Sequence, residues 1–281
     1  VAHVRFRQSL ITTWMSCALQ ARFQSIDNLP RRQHARATFG TCVHFALELY
    51  SNNGDVDAAV EAFTQVWEKP ETLGVAPDIW PKYMTYGGWR EKGIKLIIDY
   101  HDRIRWENRE VIGSEVKFLV PFGDHELTGT VDLLESRKNS SGKLLLRVVD
   151  FKTNSKAPTK YNLRYNIQFT TYVWASMQPE FWMGNGPDYP ALPGGLLLYE
   201  RFKEIPRRGI WFHLQTNKEI DAGPRDDEDF IRLYRVCEEI DKAITHNVFV
   251  PNISGDSCGF CDYTEPCGLA IPTQNDDESW V

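Results

Sequence analysis

The chain has 281 residues, 42% of them hydrophobic and 25% charged, with a formal net charge of -6 at pH 7. That balance fits a folded, water-soluble protein of one large domain, or one with a small appendage. It carries no whole-chain basic footprint for nucleic acid, no apolar run of the roughly 18–20 residues that a membrane span needs, and no signal-peptide pattern in its first residues, which include His3, Arg5 and Arg7.

In chain order, residues 9–24 read as a short helix carrying Cys17, and residues 25–33, with Pro30 and a basic pair, as a loop. Val43, Leu47 and Tyr50 fall at helical spacing in 40–50, and residues 56–69 and 88–107 continue as helices. Pro70, Gly74, Pro77 and Pro81 break the run between them. The pattern then turns strand-like over 114–122, 125–136 and 143–153, with RKNSSG as a hairpin loop between the last two. Residues 160–178 return to helix, 194–202 and 209–216 read as strands, and 226–246 as an amphipathic helix with an acidic start. The tail from 251 is loop-rich and ends acidic. This order of elements predicts a mixed α/β fold.

Asp132 and Asp150 each stand inside an apolar strand pattern, and a hairpin can place them side by side. Two carboxylates in apolar surroundings raise each other's pKa unless a positive group lies between them. A hard divalent cation such as Mg²⁺ satisfies that need, and Lys152, on the same strand face as Asp150, is placed to act on an attacking water or on charge developing at phosphorus. An inert buried ion-pair cluster is the alternative. His44 lies in a helix, and Gln168 and Tyr172 are i and i+4 on another helix face.

In this order, GTCVH (40–44), GTVD (129–132), VVDFKT (148–153) and QFTTY (168–172) resemble the motifs of the RecB-type branch of the PD-(D/E)XK nuclease superfamily. The resemblance implies a restriction-endonuclease-like core, a central mixed sheet flanked by helices. It implies His44, Asp132, Asp150 and the Phe151 backbone carbonyl as ligands of Mg²⁺ or Mn²⁺, and Lys152 as the catalytic lysine. Gln168 and Tyr172 would lie along the DNA strand or support the site, and Glu115 matches an acidic residue often found on the preceding strand.

Of six cysteines, Cys258-x-x-Cys261 and Cys267 are bunched near the C-terminus, which reads as metal or cluster ligation before disulfides. Spacing alone leaves both the metal (iron–sulfur or Zn²⁺) and the fourth ligand open, with Cys17, Cys42 and Cys237 as candidates. TTWMSCALQARF around Cys17 is similar to the first helix of the iron–sulfur RecB-like nucleases: the AddB nuclease domain, CRISPR-associated relatives and the exonuclease V type. That implies a [4Fe–4S] cluster on Cys17, Cys258, Cys261 and Cys267. Ala18 stands where those relatives usually have Pro. Cys42 and Cys237 then read as small core residues.

The expected organisation is one nuclease domain over 1–281. Residues 1–39 carry the first cluster cysteine, 40–250 form the core, and 251–281 bind the cluster and end in the acidic tail. The expected function is a metal-dependent deoxyribonuclease, an exonuclease acting in recombination, repair or end processing, in the cytoplasm of a bacterium or encoded by a phage or mobile element. No Walker A pattern is present, so a helicase, recombinase or single-strand-binding protein would be a partner rather than part of this chain. PRRQHAR (30–36) is the most basic short run and a candidate phosphate contact. The alternative functions are a catalytically silent iron–sulfur scaffold and a zinc-stapled structural protein.

Overall fold

Three long strands rich in alternating apolar residues form the centre of the molecule: β2 (Arg109–Phe122), β3 (His125–Lys138) and β4 (Leu144–Lys152). The computed structural model describes residues 4–77, 80, 85–254, 258–259 and 261–269. Strand β2 pairs antiparallel with β3 along its whole length, through a two-residue turn that closes on Phe122 and His125. The opposite edge of β3 is shared. A three-residue strand, β1 (Arg5–Arg7), runs parallel to its first residues, Glu126 to Thr128, and β4 runs antiparallel to its last, Leu133 to Lys138. Beyond β4 come β5 (Arg207–His213), parallel to it, and β6 (Lys218–Asp221), antiparallel to β5. The result is a six-stranded mixed sheet.

Helices cover both faces. One face buries Phe118, Leu127, Val131, Leu146 and Val148 beneath α1 (Gln8–Ser16), α7 (Ile167–Met177) and α10 (Asp227–Thr245). The other buries Leu133, Val149, Phe151 and Phe212 beneath α3 (Ala35–Asn53), α4 (Val56–Glu68) and α5 (Tyr86–Ile104). Helical periodicity explains the second layer directly: Ala59, Phe63, Val66 and Trp67 put one stripe of α4 in the core. The mixed α/β fold is the one the element order predicts, and the sheet flanked by helices is the architecture the resemblance implies; among the described residues no helix is long and apolar enough to cross a membrane.

Some local expectations differ. After the short helix α8 (Pro179–Met183), residues 194–202 form a helix, α9 (Gly195–Phe202), not a strand. Its three leucines carry no alternation: Leu196 and Leu197 face solvent, while Leu198, Tyr199 and Phe202 pack inward at helical spacing. A short apolar run is ambiguous for that reason. The first helix breaks at Cys17, which is extended (φ -161°), and resumes as α2 (Ala18–Ser25). The helix expected over 160–178 is two, α6 (Lys160–Arg164) and α7, because Asn166 caps α7 by accepting from the Phe169 N–H. Strands β1 and β6, of three and four residues, are too short to show a period. Pro81 and the acidic tail from 270 lie outside the described residues.

Gly129 of the GTVD motif has a packing reason. A Cβ there would stand 2.9 Å from the Phe118 ring and 3.5 Å from Tyr172. Those two rings meet edge-on with centroids 6.0 Å apart. Gly129→Ala should therefore cost about 1–3 kcal/mol through overpacking, lowering the melting temperature by roughly 2–4 °C per kcal/mol. An unchanged melting temperature would show that Phe118 and Tyr172 yield freely.

Candidate active site where β3 and β4 part

The last ladder pair between β3 and β4 is Leu133 with Val149; beyond it the strands diverge as β4 follows β5. The parting leaves the Phe151 N–H without a strand partner. Asp132 supplies one, its Oδ2 accepting that N–H at 2.7 Å. A buried backbone donor must be satisfied, and the carboxylate replaces the missing ladder bond. The alternation of β3 skips at the same place: Val131 packs in the first core and Leu133 in the second. Opposite Asp132, between the pairs Ser114–Leu133 and Val116–Val131, stands Glu115 with φ +47°, a left-handed backbone that a non-glycine residue adopts only under local constraint.

Helix α3 brings His44 to this gap from one side. Its Nε2 lies 2.9 Å from the Phe151 carbonyl oxygen and its Nδ1 3.4 Å from Asp132 Oδ2. A carbonyl only accepts, so Nε2 carries the proton and Nδ1 is the atom turned to the carboxylate. Helix α7 closes the other side. Gln168 donates from Nε2 to Asp150 Oδ1 at 2.8 Å and to the Tyr172 hydroxyl at 2.9 Å. Tyr172 is 2% exposed, so it and Gln168 hold Asp150 from within the site. Lys152 donates to Asp150 Oδ1 at 2.9 Å; its nitrogen also lies 2.7 Å from Oδ2 but off the hydrogen-bonding direction, and the buried Oδ2 accepts no hydrogen bond. The Lys152 ammonium rests 5.4 Å from the centre of the Trp211 ring on β5.

Charge is crowded here. Burial pushes the Asp150 carboxyl up to about 6; Lys152 opposes the shift and Asp132 adds to it. Burial likewise pushes Glu115 up to about 7, with Asp132 and Glu48 adding to it and His44 opposing. Burial works to lower the Lys152 pKa, but Asp150 and Asp132 outweigh it and hold the group above its ordinary value. Lys152 is therefore an ammonium at neutral pH, suited to stabilising negative charge. Glu48 and Trp211 were not singled out from sequence. Glu48 was legible, because it sits four residues after His44 on one helix face; Trp211 reaches Lys152 only through the parallel pairing of β4 and β5.

These residues fit a hard divalent cation. Among the described residues, His44, Glu115 and Asp132 offer ligand atoms that all lie within 4.8 Å of one another, and Asp150 Oδ2 is a buried acceptor with no hydrogen bond. Three carboxylates, those of Glu115, Asp132 and Asp150, beside one ammonium form the donor set that such an ion neutralises. Beside the site lies a groove of about 520 Å³, bordered by Arg7, Ser9, Lys117, Gly129, Thr130 and Tyr172 among others.

The cysteines divide into two groups. Cys42 and Cys237 are fully buried in the cores, where burial pushes their thiols up to about 11 and about 12. Cys17, Cys258, Cys261 and Cys267 line one cavity between α2 and the C-terminal segment. No three of these four sulfurs come within 4.8 Å of one another. Around the cavity the two ends of the chain are stitched together. Asn252 donates from its backbone N to Cys17 Sγ (3.4 Å) and from Nδ2 to the Ser16 carbonyl (2.8 Å). The Tyr263 hydroxyl donates to the Leu29 carbonyl at 3.3 Å. Arg31 and His34 of the basic run face the Asp262 carboxylate at 3.5 and 3.2 Å, so those two side chains join the ends of the chain.

Comparison with known proteins agrees with this geometry. A family model described as the PD-(D/E)XK nuclease superfamily matches residues 5–268. No curated protein matches the chain. Among solved structures, the crystal structure of SSO0001 is similar over 96% of this chain and 89% of that one, at 12% identity and a TM-score of 0.38, a likeness that carries no argument about this chain.

The raised carboxyl groups make stability pH-dependent. The folded chain holds protons on Glu115 and Asp150 that the unfolded chain releases near its ordinary values of 4.5 and 3.8. Their contribution is complete below those values and is lost as pH rises through about 6 and 7. In EDTA the melting temperature should fall between pH 5 and pH 8, Glu115→Gln should flatten the slope, and added Mg²⁺ should restore more stability at pH 8 than at pH 5. A melting temperature that rises over this range in EDTA would contradict the crowding described above.

Proposed function

The chain belongs to the PD-(D/E)XK nuclease superfamily, and from that premise we propose that it is a Mg²⁺- or Mn²⁺-dependent DNA nuclease, an exonuclease of the RecB-like, iron–sulfur type that serves recombination, repair or end processing. The observation that carries the proposal is the convergence of Asp132, Asp150 and Lys152 at the parting of β3 and β4, with His44 above and Gln168 below. A divalent cation held by His44, Asp132, Asp150 and the Phe151 carbonyl, with Glu115 in reach, would supply Lewis acidity and a water acidified for attack on phosphorus.

The protein's own groups have distinct tasks. Asp132 ties the two strands together through the Phe151 N–H and so fixes its own carboxylate. Gln168, braced by the Tyr172 hydroxyl, holds the Asp150 carboxylate in place. Lys152 remains protonated beside its carboxylates and stabilises the negative charge that gathers on the phosphoryl oxygens. Trp211 lies beneath the Lys152 ammonium and limits its freedom.

We assign a [4Fe–4S] cluster to Cys17, Cys258, Cys261 and Cys267. One fact supports it: the four line one cavity. The group would join the chain ends and add to the stability of the fold.

The test uses anaerobically purified protein, end-labelled single- and double-stranded linear DNA, and closed circles, with Mg²⁺, Mn²⁺ or EDTA. Metal-dependent release of label from linear DNA, with circles spared, is the expected result. Asp150→Ala should fall to background and Lys152→Ala should lose about 10²–10³-fold in rate. Cleavage that persists in Asp150→Ala would place the chemistry elsewhere. The same preparation should contain iron and acid-labile sulfide in stoichiometric amounts, lost in Cys258→Ser; zinc in their place would remove the cluster assignment and leave the nuclease reading intact.

A further inference from the structure

The chain leaves the catalytic strand through a segment of unusual charge. From Lys152 to Tyr165 it reads KTNSKAPTKYNLRY: four cations and no acid, in a protein of net charge -6. Two of the four are committed, Lys152 to Asp150 and Arg164 to Asp229 at 2.6 Å. Lys156 and Lys160 are exposed and, among the described residues, have no ion-pair partner.

The same segment carries Tyr161 and Tyr165, i and i+4 at α6. They are 73% and 57% exposed, and their rings touch edge-on with centroids 5.2 Å apart. Single exposed aromatics are common; two in mutual contact beside unpaired lysines form a surface with a chemical preference. The surface is also held firmly from beneath. The Thr153 carbonyl accepts from Gln215 Nε2 (2.5 Å), the Asn154 carbonyl from His213 Nε2 (2.8 Å), and Asn154 Nδ2 donates to the Lys156 carbonyl (2.6 Å). Thr159 caps α6 at the Asn162 N–H, and Leu163 is buried in the core. The rings therefore project from a fixed base that begins at Thr153, the residue after Lys152.

We infer that Tyr161 and Tyr165, flanked by Lys156 and Lys160, form a stacking platform for unpaired bases of a single-stranded nucleic acid whose backbone leads into the site at Asp150. Every base has a face that stacks on a tyrosine ring, and the lysines neutralise the adjoining phosphates. A duplex keeps its base faces stacked within itself and offers this surface only phosphates. The inference rests on the nuclease reading for the occupant's identity, and it makes single-stranded DNA the preferred substrate.

The experiment measures anisotropy of a short fluorescein-labelled oligonucleotide in EDTA with the full-length protein, against three probes: single-stranded DNA, its duplex, and an abasic strand of equal length. The wild type should bind the single strand more tightly than the abasic strand. Tyr161→Ala/Tyr165→Ala should weaken single-strand binding roughly ten- to hundredfold while changing duplex and abasic binding by less than about twofold. Lys156→Ala/Lys160→Ala should weaken all three and lower the salt dependence. All four side chains are exposed, so the variants should melt with the wild type. Equal single-strand binding by wild type and the tyrosine variant, or equal wild-type binding of normal and abasic strands, overturns the inference. If the wild type cleaves DNA while the tyrosine variant binds and cleaves single strands normally, only the platform fails. If the wild type cleaves nothing, the nuclease reading fails, and the abasic comparison still decides the platform.

Discussion

One carboxylate standing in for a backbone carbonyl sets the form of this site. Where β3 and β4 part, the Phe151 N–H would be left buried and unpaired, and Asp132 takes it. A buried donor left alone costs on the order of 1–3 kcal/mol, so the parting of the strands and the presence of Asp132 depend on each other. The gap that results admits His44 from α3 and keeps the Asp150 carboxyl 1% exposed yet open to neighbours. The skip in the alternation of β3 and the positive φ of Glu115 cluster at this same gap, as strained geometry often does at functional sites.

The site also belongs equally to two cores. His44 rides on a helix packed on one face of the sheet, and Gln168 and Tyr172 ride on a helix packed on the other. Their meeting at the gap between β3 and β4 requires both layers to be in place. The dense aromatic contacts of α3, α4 and α5, such as Phe39 against Trp67 and Trp89, hold the α3 layer. Gly209 lets the α7 layer approach, since a side chain there would collide with Phe169.

Much of this was legible in the sequence because the motif residues are tied to local structure. Asp150 and Lys152 share a strand face by period two, and Gln168 and Tyr172 share a helix face by i and i+4. Both placements appear in the structure. What could not be read was whatever depends on pairing across the sheet: Trp211 under Lys152, the β1 edge beside β3, and β6 beyond β5. The strand expected at 194–202 failed because three consecutive leucines carry no period, so only packing distinguishes helix from strand. The basic run at 30–36 reads as a candidate phosphate contact, yet Arg31 and His34 meet Asp262, a residue more than 220 positions away that no local pattern could pair with them.

That last junction has a consequence for how the molecule comes into being. The bond from Asn252 to Cys17 spans 235 residues. At a synthesis rate of about 5–20 residues per second, the first helices must wait roughly 10–50 s before their partner segment exists. During that interval α2 leaves Cys17 and the face that receives Tyr263 uncovered, while β1 already has its place beside β3 as soon as the central hairpin forms. The sheet, with Asp132 and Asp150 on it, can therefore assemble while these two segments are still apart. The seam between them can close only once Asn252 and Tyr263 have been made.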